Sequence, residues 1–160
     1  MKSSFSAGAL EGKIRKAFGC VASIDSISEE EARELNHGIN RVDNASFKRL
    51  LPLLMLREMH SENKCSFQGT GDHLVYVLDG GLEQGKRNAD QSGGSASCHM
   101  QLEFNQRRFS GFSTSEADAI LAWLREVAIP KYGDLCHDAI ASAIKFWEGR
   151  LRSCETSGVK

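Results

Sequence analysis

Between residues 50 and 56 the chain reads LLPLLML, seven positions without a polar side chain and with a proline in third place. In the wider segment SFKRLLPLLMLREMH, residues 46–60, apolar side chains point in almost every direction around a helix. A helix of that kind has no solvent face and has to be surrounded, so this segment predicts the centre of a core. Pro52 lacks an amide to bond the carbonyl of Lys48 and disfavours helical geometry at Leu51. The expectation is either a kink there or a new helix with Pro52 at its first position.

The central segment needs partners, and the last third of the chain provides them. Ser113-Thr114-Ser115-Glu116 is a capping box, followed by Ala117, Ile120, Leu121, Trp123, Leu124 and Val127 at helical spacing. Pro130 is expected to end that helix. Asp134 then caps a final one, with Ile140, Ala143, Ile144, Trp147 and Leu151 along one stripe. Toward the N-terminus, Ile14, Ala17, Phe18 and Val21 predict a first short helix ending near residues 19–22. Ser28-Glu29-Glu30-Glu31 is another capping box, opening a surface-lying second helix that Gly38 stops.

Two segments read differently. His73 to Leu78 is β-branched and aromatic, and His99 to Phe104 alternates apolar with polar. They predict a small hairpin or ribbon around a flexible Gly/Ser-rich loop, residues 79–98. The fold expected is therefore one mainly α domain, 1–160, of about five helices with a minor β element. Residues 1–10 and 153–160 are expected to fray.

At 160 residues the chain can bury a sizeable core as one domain. A net charge of −1 gives no global basic footprint, which argues against nucleic acid as partner. No apolar run approaches the roughly 18–20 residues that span a bilayer, and no signal-like h-region opens the chain. The five cysteines are odd in number and scattered, which reads as reduced thiols in a cytosolic protein without membrane contact.

These features give candidate chemistries little support. Gly80…Gly85-Lys86 resembles a phosphate-binding loop, but Arg87 replaces the Ser/Thr and no helical pattern follows the lysine. Cys98-His99 and Cys136-His137 form two adjacent pairs, yet neighbours rarely both ligate and the usual zinc spacings are missing. No nucleophile signature is present, so no catalytic residue, cofactor or metal is assigned. Binding fits the charge pattern better. Glu29, Glu30, Glu31 and Glu34, near Asp25, make an acidic patch, and Arg107-Arg108 make a basic one. Segregated charge of this kind steers protein partners.

Several of these positions also carry a resemblance. Ile14, Ala17 and Phe18, then Phe47, Leu51, Pro52, Met55 and Leu56, then Phe109, Phe112, Ser113, Ala119, Trp123 and Leu124 resemble the pattern of a family of small bacterial proteins of uncharacterised function. The match covers about half the chain, in patches, and departs from the family at residues 79–98. It implies a shared helical fold and assigns no active residue. The combined reading is a cytosolic protein that binds another protein, in its sharpest form an immunity-type protein neutralising a toxin. The alternative is an enzyme or small-molecule binder whose site is assembled only in three dimensions.

Overall fold

The computed structural model describes residues 7–19, 28, 30, 34, 35, 38–61, 71–79 and 95–157. All the regular structure among them is helical. Helix α1 spans Ala7–Phe18, and Gly19 follows it at φ +77°, the left-handed conformation in which glycine ends helices at low cost. Leu10 and Ile14 are buried, so residues 7–10 belong to a docked helix and not to a frayed end. Glu30, Glu34, Leu35 and Gly38 are helical too. Gly38 does not stop the chain's winding, which tightens into a 3-10 turn at Ile39–Arg41.

The apolar segment lies inside one helix, α2, Asn44–His60. Its N-cap is Asp43, whose carboxylate accepts from the Ser46 amide at 2.9 Å. The helix carries Pro52 in its interior, which costs about 3 kcal/mol. Leu51, Leu53, Leu54, Met55 and Leu56 are all buried, and each such side chain is worth roughly 1.5–3 kcal/mol, so burial outweighs the proline.

Both expected strands are helices. α3 is Gly71–Leu78 and α4 is Ser95–Ser110. In α3, Leu74, Val75, Val77 and Leu78 are buried and Tyr76 packs against the core, so the segment is surrounded and shows no alternation of faces. The indole N–H of Trp147 reaches the Leu78 carbonyl at the end of this helix.

Helix α5, Thr114–Trp123, starts at the expected capping box. The Glu116 amide donates to the Ser113 hydroxyl at 3.2 Å, and the Ser113 amide donates to the Glu116 carboxylate at 2.7 Å. Pro130 does not end the winding. A π turn, Leu124–Ala128, leads directly into α6, Ile129–Ser157, with the Ile129 amide reaching back five residues to Leu124. A widened turn keeps the proline ring away from the carbonyl four residues before it. The break falls later, at Cys136 (φ −125°, ψ 30°), and Asp134 lies exposed inside α6, so it caps nothing. Residues 153–157, expected to fray, continue that helix.

The core gathers around α2. Leu51, Leu54, Trp123, Leu124 and Trp147 are buried together, with Ile144 partly buried against them. Phe109 sits among Phe47, Phe112, Phe146 and Trp147, with ring centroids 5.0 to 5.9 Å away. Among the described residues, no helix is long and apolar enough to cross a membrane.

Candidate functional site

The two arginines of the predicted basic patch part company. On α4, Asn105, Arg108 and Phe109 fall at the spacing of one helix face and are buried, whereas Glu103, Gln106 and Arg107 are exposed. Arg107 is therefore presented to solvent and Arg108 is not. The Arg108 guanidinium lies between the rings of Phe47 and Phe104, 4.5 and 4.6 Å from their centroids. It donates to the Val42 carbonyl at 2.6 Å, the Ile39 carbonyl at 3.4 Å and the Asn44 side-chain oxygen at 3.3 Å. A planar five-donor fork suits this combination of stacking and divergent acceptors. Burial pushes the guanidinium below its ordinary value, and the Asp43 carboxylate pulls the other way. Arg108 is thus a joint inside the fold, its guanidinium committed to the chain's own carbonyls and rings.

The acidic helix is the other candidate surface. Glu30 and Glu34 are exposed helical residues four positions apart, the spacing that an unbroken helix would put on one face. Leu35, next to Glu34, packs against the core, so the acidic side is turned away from the interior. Glu29, Glu31 and Asp25 lie outside the described residues, as does the glycine-lysine stretch at 80–86.

A second polar group went unnoticed in the sequence. Glu58, on the last turn of α2, is buried and accepts from the Tyr132 hydroxyl. Lys131 donates to the Glu58 carbonyl at 2.6 Å and the Ser61 carbonyl at 2.9 Å, with the Glu58 carboxylate 3.5 Å away. The ammonium thus satisfies carbonyls that the end of α2 leaves open. Its role is to cap one helix with another, and the only sequence signal was a glutamate just beyond the apolar run. A similar joint forms where Lys48 meets the Glu116 carboxylate at 2.9 Å and the Gly111 carbonyl at 2.8 Å.

The Cys136-His137 pair diverges. The thiol is buried, while the imidazole is exposed beside Asp138 at 3.4 Å. Cys98 and His99 lie on α4. Among the described residues, no group of three or more His, Cys, Asp or Glu side chains is placed to hold a metal ion.

No protein-family model matches the chain, and comparison with curated proteins and with solved structures gives no match.

Proposed function

We propose that the chain acts by binding another protein, and that the acidic face bearing Glu30 and Glu34 is where a basic partner first engages. The observation that carries this reading is the outward turn of that face. Glu30 and Glu34 stand exposed, while Leu35, next to Glu34, packs against the core. Several other carboxylates are committed within the fold: Glu11 to Arg15, Glu58 to Lys131, Glu116 to Lys48 and Glu148 to Arg125. Like charges four residues apart cost a helix a few tenths of a kcal/mol, and a basic partner relieves that repulsion.

The sharpest form of the reading is an immunity-type protein working in the cytosol against a basic toxin. The resemblance to small bacterial proteins is compatible with it, because the anchors of that pattern, from Ile14 to Leu124, are mostly core residues. They speak for a shared scaffold and leave the surface open to partner choice. The experiment is to co-produce the chain with the product of the gene beside its own and to follow both co-purification and growth. A stable pair, with growth restored when the neighbour is toxic, supports the reading. A toxic neighbour that the chain neither binds nor neutralises contradicts the immunity form.

A further inference from the structure

We infer that Arg108 is a positioning residue for the acidic face, holding the segment that carries it from a distance of some seventy residues along the chain. Its value for binding rests on the function proposed above; the positioning itself stands on the geometry alone.

Glu30, Glu34, Leu35 and Gly38 are helical, and Gly38 leads directly into the 3-10 turn Ile39–Arg41 and on through Val42 and Asp43 into α2. Three successive points of that junction meet a single guanidinium: the carbonyls of Ile39 and Val42 and the side chain of Asn44. The two carbonyls lie at and just beyond the 3-10 turn, where backbone acceptors run out of helical donors and a cation is favoured. Ile39 is fully buried, so the junction is pinned by an apolar anchor on one side and by the guanidinium on the other. The guanidinium is itself fixed by stacking between Phe47 and Phe104. Of the two rings, Phe47 is in the core and Phe104 is 45% exposed. The clamp therefore has an outer jaw that can be removed without opening the core.

Lysine keeps the charge of arginine but supplies neither the planar stack nor the divergent fork. Arg108→Lys separates position from charge. Amide hydrogen exchange on the isolated chain is the primary test. In Arg108→Lys, exchange at Leu35, Ile39 and Val42 should accelerate at least tenfold more than at Ile120 and Ala143. In Leu54→Ala, which loosens the core, both groups should accelerate together. Phe104→Ala, which leaves the core intact, should give a smaller acceleration confined to the same three amides. Equal acceleration of both groups in Arg108→Lys, or none in either, would overturn the inference. A second arm titrates an octalysine peptide as basic probe and reads the shifts of Glu30 and Glu34. Binding should weaken about threefold or more in Arg108→Lys and by less in Phe104→Ala. If octalysine binds no variant, the acidic-face reading fails, while the exchange result still decides the role of Arg108.

Discussion

Trp147 donates its indole N–H to the carbonyl of Leu78 at 2.9 Å, and both residues are fully buried. Leu78 is the last residue of α3, so its carbonyl is one of those a helix end leaves without an internal donor. Trp123 also donates its indole N–H to a carbonyl of another helix, that of Met55 inside α2, at 3.0 Å. Each tryptophan thus fills the core and satisfies a backbone group on another helix. Trp147→Phe removes the donor and some volume, and should cost roughly 2–4 kcal/mol in chemical denaturation. A loss under about 0.5 kcal/mol would mean that water or another donor replaces the indole.

The central helix gives a second prediction. Leu54 is buried between α2 and its neighbours, and Leu54→Ala should destabilise the chain by about 2–5 kcal/mol. A value below about 1 kcal/mol would place α2 at the periphery.

The start of α6 shows why part of the fold escapes sequence reading. The stripe through Ile140, Ala143 and Trp147 was legible because its period is 3.6, and the Ser113–Glu116 capping box because its chemistry is local. Pro130 was misread because a π turn absorbs it, and such a turn depends on what the following residues reach. Lys131 and Tyr132 find Glu58 some seventy positions away. The strands were misread for a related reason. HLVYVL is apolar enough to be surrounded, and a short buried segment looks alike as strand or helix. In α4 the inward-facing side chains include Asn105 and Arg108, so polarity concealed the helical period. Of the candidate site, the acidic face was visible as charge, whereas the division between Arg107 and Arg108 needed the packing.

That Glu58 group yields a third prediction. Glu58→Ala leaves the Tyr132 hydroxyl and part of the Lys131 charge uncompensated in a buried place, and should cost about 3–5 kcal/mol. Tyr132→Phe loses one hydrogen bond and should cost about 1–2 kcal/mol. Thermal or urea unfolding measures both, and equal losses would show that Lys131 contributes nothing through the carboxylate.

Two glutamates should respond to pH with opposite sign. The hydrogen bond from Arg15 holds Glu11 below its ordinary 4.5, with His60 at 3.1 Å adding to the effect. A depressed folded value contributes stability above pH 4.5 that is lost as pH falls through the folded value. Glu11→Gln should therefore melt lower than the parent at neutral pH, with the gap closing on acidification. Burial raises Glu126 above 4.5, against the pull of Lys13. Stability is then lost as pH rises from 4.5 through the raised folded value, so Glu126→Gln should melt higher at pH 7. That gain should vanish below about pH 4.5, the ordinary carboxyl value. Melting curves between pH 3 and 7 that run parallel for all three proteins would contradict both assignments.

The central claim is that exposed acid steers a basic partner, and the association rate tests it most directly. For the chain and the protein it co-purifies with, stopped-flow rates would be taken across a range of ionic strength. Glu30→Lys with Glu34→Lys should lower the rate about tenfold or more at low salt and flatten its salt dependence, with the far-ultraviolet spectrum unchanged. If rate and salt slope both match those of the parent, the acidic side is only a solvated helix face and the partner docks elsewhere.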